Sequence, residues 1–493
     1  MLITIVVYFA LLFIISRLVG NSDNKAFFGG SRKSSWLLVA FGMIGASLSG
    51  VTFISVPGMI ISNDMTYLQM CIGFIFGYLV VAFCLLPFYY HNRQISIYAW
   101  LNNRIGWFSH KIAASFFILS KLAGAAARMY IVILILHRYI FDNYGFTYVA
   151  TVVMILSLIW LYTCRGGIRT LVWTDALQTF CLLAALVIVV YKAIVMLDMN
   201  VSDAVTVVLN DSHSRVFEFD DWTSRQHFVK QFLSGIFIVV VMTGLDQGMM
   251  QKNLTCKNLR EAQKDMCSYG FMFVPVNFLF LFLGALIMML YAKFGMPIPS
   301  DPDSLMTGFV AEGMMGGFVV VLFTIGIIAP AFSSTDSSIT ALTTSVCVDM
   351  LNIESDDFSA KNFWGFKSRE SVRKFVHAMV ILAFGIFVVA FKYISNGSVI
   401  DTIYYIAAYT YGPLLGLFVF GLFTKRVPKD KHVPFIAILS PVLCYALNYY
   451  SKYYWNYEFG YELLLFNGLL TIIALYVSSM FVCQRNMNIR RAK

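Results

Sequence analysis

The sequence predicts an all-α polytopic membrane protein of about thirteen transmembrane helices. Composition is the first sign: 59% of the 493 residues are hydrophobic, 13% are charged and the mean hydropathy is +0.74, against roughly 45–50% apolar and 25% charged in soluble domains. The second sign is spacing. Apolar runs of about 20 residues, the length that crosses a bilayer, recur at near-regular intervals, and no water-soluble block between them exceeds a loop. The third is the alternation of basic residues between successive connections. A soluble chain of this length would make about three domains; this one reads as a single membrane domain over 1–493.

The spans fall near 2–19, 36–60, 67–90, 113–137, 146–163, 172–196, 228–250, 268–292, 307–346, 375–394, 398–423, 433–450 and 461–483. The first 19 residues lack a basic leader and a small-residue cleavage site, so they are expected to stay as a helix. The 307–346 block is too long for one straight span and contains no polar loop, so it counts once, with a lead-in from Gly308 to Gly317. Cytoplasmic connections retain Lys and Arg. With the N-terminus outside and the C-terminus in the cytoplasm, 26 of the 36 Lys and Arg lie in inner connections and 8 in outer ones, while Lys121 and Arg128 fall inside a helix.

Several classes are disfavoured. The net charge of +10 is spread singly and in small groups between apolar runs, so it marks topology, not a nucleic-acid surface. Nine cysteines are scattered without a CxxC pair, which argues against zinc, haem or a disulfide framework. No Walker A or GxGxxG motif follows a strand-like run, so an ATP-driven pump is not expected, nor are an organic cofactor or an obligate protein partner. The seven histidines are dispersed, mostly at helix ends and in loops, which argues against a membrane enzyme. A channel would need a continuous polar pore, whereas the polar residues gather in a few midplane blocks, and a solute sensor would need a signalling domain, so a carrier is expected ahead of both.

A charge near the bilayer centre costs at least about 2.5–3.5 kcal/mol on insertion scales, so Lys121, Arg128, Asp175, Asp246 and Asp336 stand out as functional or as structural ion pairs. Two helix segments are unusually rich in small and hydroxyl residues. Gly42 to Phe53 contains Gly45, Ser47, Ser49, Gly50 and Thr52; Pro330 to Thr340 contains four serines, two threonines and Asp336. Such segments either glue helices together or, unwound at membrane depth, supply the carbonyl and hydroxyl oxygens that a hard cation requires. A third segment, Met242 to Gly248, interrupts another apolar helix with two glycines, five helices after the first. Interrupted helices at matching places in two five-helix halves are the mark of an inverted-repeat transporter with a midplane site. The halves are expected at 36–196 and 228–423, with 1–19 as an extra helix before and 433–483 as two after.

These residues resemble the sodium:solute symporter family, which carries sugars, sialic acid, proline, pantothenate and iodide. The matching stretches are Phe27 to Arg32, Ser49 to Ile54, Gly166 to Gln178 with its WTDxxQ motif, Asp246 to Lys252 with DQxxxQ[RK], Ser333 to Ser337 and Tyr411 to Leu417. They span most of the chain in the family's order. The resemblance implies a LeuT-type fold, sodium as the coupling ion and solute import across a cell membrane by alternating access. It places the main sodium ion on the carbonyls of Gly45, Leu48 and Pro330 and the hydroxyls of Ser333 and Ser334. Members similar to a bacterial sialic acid symporter imply a second sodium on Asp175, Ser333, Asp336 and Ser337, although that carrier has serine where this chain has Asp336. For the solute, Ser47, Ser49, Thr52 and Gln69 are candidate contacts, with Tyr67 beside them. Thr52 stands where the sodium/galactose carrier has a sugar-binding glutamine, which argues against a hexose site. Arg128 aligns with the arginine that reads the carboxylate in the sialic acid symporter, and a guanidinium grips a carboxylate bidentately. An organic anion such as sialic acid or a sugar acid is therefore the leading solute; if Arg128 instead pairs with an internal carboxylate, the solute is neutral. Tyr404, Tyr405, Tyr409 and Tyr411 are candidates for closing the cavity.

Overall fold

The computed structural model describes residues 2–19, 34–92, 96–355, 358–360, 365–394, 399–455, 457 and 459–491. The Phe27 to Arg32 stretch lies outside them. The principal helices are α1 (Leu2–Val19), α2 (Trp36–Ser47), α3 (Gly50–Gly58), α4 (Tyr67–Val80), α5 (Trp107–Leu136), α6 (Tyr148–Met196), α7 (Phe228–Val239), α8 (Gln247–Asn253), α9 (Leu259–Lys293), α10 (Gly317–Ser345), α11 (Arg369–Ile394), α12 (Val399–Phe423), α13 (Val433–Trp455) and α14 (Leu463–Arg491).

Two spans are bent at short breaks. α2 and the helical stretch from Gly50 to Asn63 meet at 59°, and the stretch from Phe228 to Gly244 meets α8 at 72°. The first break falls in the glycine- and hydroxyl-rich segment from Gly42 to Phe53 and the second in the glycine-interrupted segment from Met242 to Gly248, where backbone groups are left to be satisfied inside the bundle. Among the described residues nine helices are long and apolar enough to cross a membrane, or up to eleven with each bent pair as one span. Two shorter apolar helices, Ile5–Leu18 and Tyr148–Thr163, occupy the first and fifth expected positions. The count of thirteen is thus not reached on length and apolarity alone.

One boundary is corrected. The connection expected between 163 and 172 is helical, so that α6 runs unbroken through two apolar stretches. No proline interrupts it, and Gly166 and Gly167 alone do not end a helix. The hydroxyl-rich α10 lies buried against α2, α3, α5 and α6, while α4 packs on α7 and α12 lies between α5 and α14. Large apolar side chains such as Phe13, Phe83, Trp173 and Phe180 are exposed on the outer surface, where a bilayer would cover them.

Candidate cation and solute sites

The first break is built by hydrogen bonds that turn away from the helix ladder. The Leu48 N–H still donates to the Ile44 carbonyl at 2.8 Å. The Ser49 N–H instead donates to Thr52 Oγ1 at 3.1 Å, so the Gly45 carbonyl loses its helical donor. The Thr52 N–H returns to the Ser49 carbonyl at 2.9 Å and α3 restarts. A carbonyl released in this way at membrane depth needs another positive partner. The break lies directly against α10: a Cβ on Gly50 would sit 2.5 Å from the Ile327 carbonyl oxygen and 3.2 Å from Ala331 Cβ. Pro330 lies inside α10, and Ser333 and Ser334 follow it, 0% and 4% exposed. Ser334 donates to the Ala331 carbonyl at 3.0 Å, leaving its oxygen lone pairs available to accept a cation.

Beside this set lies a second buried cluster. Lys252 of α8 pairs with Asp175 Oδ2 at 2.6 Å, with both side chains at most 2% exposed. Ser333 donates to the other Asp175 oxygen at 2.5 Å. Tyr162 donates to Asp336 Oδ2 at 3.1 Å, and Ser337 lies 3.4 Å from Oδ1. Asp175, Ser333, Asp336 and Ser337 are therefore brought together, with Lys252 and Tyr162 as members that motif matching did not assign. The DQxxxQ[RK] motif named position 252 but gave no sign of its partner.

A cavity of about 100 Å³ opens between the two breaks. Arg128 and Lys121 of α5 reach it, as do Ser47 of α2, Thr243 and Asp246 of the second break, Tyr78 of α4, Tyr269 of α9, and Tyr404 and Tyr411 of α12. Lys121 is already engaged, bonding Asp246 Oδ2 at 2.8 Å. Tyr411 donates to the same oxygen at 3.1 Å, and Asp246 Oδ1 caps α8 through the Met249 N–H at 3.0 Å. Tyr78 donates to Tyr269, which donates in turn to Ser47. The Tyr67 and Tyr404 hydroxyls meet at 3.1 Å across the end of the cavity where both α4 and α12 begin.

Three expected solute contacts are not on the cavity wall. Ser49 and Thr52 are spent on restarting α3. Gln69 is fully buried and pins a connecting segment: its amide donates to the Thr66 and Gln226 carbonyls and accepts from the Glu218 N–H. Ser47 and Arg128 are on the wall. Of the four tyrosines, Tyr404 and Tyr411 are there too.

The family model for sodium:solute symporters matches residues 27–430. The chain belongs to that family. As a sodium:solute symporter it uses sodium as its coupling ion and works as a multi-pass membrane protein. Among its curated relatives is the sodium/sialic acid symporter SiaT of Proteus mirabilis, 24% identical over 86% of this chain and 84% of that protein. Another is sodium-coupled monocarboxylate transporter 2 of Homo sapiens, 25% identical over 84% of this chain and 68% of that protein. Among solved structures, a substrate-bound, outward-open sodium-coupled sialic acid symporter superposes with a TM-score of 0.81 at 19% identity, covering 97% of each chain. Mhp1, a nucleobase-cation-symport-1 transporter, superposes with a TM-score of 0.60 at 14% identity over 95% of each chain. The fold is accordingly of the LeuT type.

Proposed function

We propose that this symporter imports an organic anion, a sialic acid or related sugar acid, with the solute carboxylate held by Arg128. The observation that carries the reading is the unequal state of the two cavity cations. Lys121 is neutralised by Asp246, whereas Arg128, on the same wall, makes no ion pair among the described residues. A guanidinium on a cavity wall without an internal carboxylate is a ready partner for one brought by the solute. The hydroxyls of Ser47, Thr243, Tyr78, Tyr269 and Tyr404 suit a polyhydroxylated acid better than a short aliphatic one.

The main sodium ion is assigned to the carbonyls of Gly45, Leu48 and Pro330 and the hydroxyls of Ser333 and Ser334, supported by the released Gly45 carbonyl and the approach of α10 to the break. The inverted repeats are assigned to 36–196 and 228–423, with the N-terminus outside and the C-terminus in the cytoplasm. The protein acts as a carrier, not an enzyme, and without an obligate protein partner. Each sodium ion entering supplies about 2.3 kcal/mol per 100 mV of membrane potential, more than one decade of solute accumulation.

Uptake of labelled sialic acid into proteoliposomes, with and without an inward sodium gradient, tests the reading. Accumulation is expected only with sodium, and Arg128→Ala should weaken it about 10–100-fold, the span of a lost charge-assisted bond. Sodium-driven uptake of lactate, with sialic acid failing to compete, would move the solute to the short monocarboxylates. Uptake that survives Arg128→Ala intact would remove the anion assignment.

A further inference from the structure

An apolar groove of about 460 Å³ runs between α6 and α11, on the surface that a bilayer would cover. Val153 and Trp160 form one wall and Leu382 and Ile386 the other, all four exposed. Leu156 and Gly385 meet at the floor, where a Cβ on Gly385 would stand 3.0 Å from Leu156 Cδ1. The hydroxyl on the lining, that of Ser157, is spent on the Val153 carbonyl at 2.7 Å, so the groove presents hydrocarbon and suits hydrocarbon. It lies between two fastenings. At one end His377 of α11 bonds both Thr163 of α6 and Thr343 of α10, at 3.0 Å each. At the other, the Lys392 ammonium of α11 stands 4.6 Å from the centroid of the Tyr148 ring at the start of α6.

Length and charge decide what fits. The lining runs from Val149 to Trp160 along α6 and from Val389 back to Ala378 along α11, in each case about 16 Å at the helical rise. That is about half of the roughly 30 Å hydrocarbon core, the depth of one leaflet. Exposed aromatic residues mark the Lys392 end as the membrane–water boundary: Tyr144 and Phe146 just before α6, and Tyr393 beside the lysine. Lys392 is exposed there, one turn beyond Val389, and its contact with the Tyr148 ring leaves its charge unneutralised.

We infer that the groove holds an acyl chain of an anionic phospholipid, with the lipid phosphate on Lys392, and that this lipid braces α6 against α11. A second copy of the chain, related by a two-fold axis along the membrane normal, would bring its own Lys392 to the same depth, like charge against like. A phosphate brings the opposite charge to that place. Neither α6 nor α11 lines the solute cavity, but the hydroxyl-rich α10 rests on both. The bound lipid therefore acts on the scaffold beneath α10 and leaves solute recognition alone.

The test is lipid retention by the purified full chain in detergent, read by native mass spectrometry after adding phosphatidylglycerol or phosphatidylcholine at equal concentration, with melting temperature followed in parallel. The wild type should retain one phosphatidylglycerol several-fold more readily than phosphatidylcholine, and its melting temperature should rise with it. Ser157→Trp fills the groove from an exposed position. It should abolish both the retention and the rise while its lipid-free melting temperature stays that of the wild type; Leu382→Trp, from the opposite wall, should do the same. Lys392→Gln should still retain lipid but lose the preference for phosphatidylglycerol. Retention that survives both tryptophans, or a preference that survives Lys392→Gln, overturns the inference. So does a wild type that retains no lipid and forms a dimer which Ser157→Trp dissolves, because the groove then belongs to a second copy.

Discussion

At the scale of single residues, the proposed main cation site depends on atoms that are missing as much as on those present. Gly45 is such a place: a Cβ there would lie 2.1 Å from Thr179 Oγ1 and 3.0 Å from its Cβ. Gly45→Ala must therefore push α2 away from α6 and displace the released carbonyl. Sodium-driven uptake should be lost although Ser333 and Ser334 are intact, and a Thr179→Ala second change should restore part of it. Ser334→Ala removes a proposed ligand without adding bulk, and its half-saturating sodium concentration should rise about tenfold, as for the loss of one bond to a charged group. The hydroxyl-rich composition of Pro330 to Thr340 made these serines legible as a group. The duties of Gln69 were not legible, because the carbonyls it holds, at Thr66 and Gln226, lie far apart in sequence. Lys252 was hidden for the same reason: its carboxylate is 77 positions away, on another helix.

At the scale of elements, the second bent helix is held at its break by one carboxylate. Asp246 joins α5 through Lys121, α12 through Tyr411 and its own half-helix through the Met249 N–H. Removing one member of a buried pair leaves the other charge unmatched, at a cost of about 3–5 kcal/mol, whereas removing both costs much less. Asp246→Asn should lower the melting temperature in detergent markedly, and combining it with Lys121→Met should recover much of the loss; additive losses would mean that the pair does not act as a unit. The breaks themselves could be read in the sequence, since glycine and hydroxyl residues interrupt otherwise apolar runs. The continuity of α6 could not: charges and glycines near 165–169 look like a loop, yet nothing there prevents helical hydrogen bonding.

At the scale of the whole molecule, the distribution of basic residues predicts an orientation that can be measured. Asp221 and Lys429 are both exposed, on connections assigned to opposite sides of the membrane. In intact cells, Asp221→Cys should react with a membrane-impermeant maleimide above the wild-type background, and Lys429→Cys only after permeabilisation; the reverse pattern would invert the topology. The overall architecture was the most legible feature, because a bilayer imposes span length and loop charge directly on the sequence. Which helices touch was not, since lipid-facing and buried apolar residues look alike in composition.

The seven-residue helix α8 is fastened at both ends, by Asp246 to Lys121 on the solute side and by Lys252 to Asp175 on the ion side. Its fastenings are six residues apart, about 9 Å along the axis, so it is too short to flex between them. Under the proposed function it would act as a strut, a pull by solute on the Lys121 end being passed along its axis to the Asp175 end. Cargo and driving ion, bound at the proposed sites, would then be linked through one short stretch of backbone, without any side chain touching both.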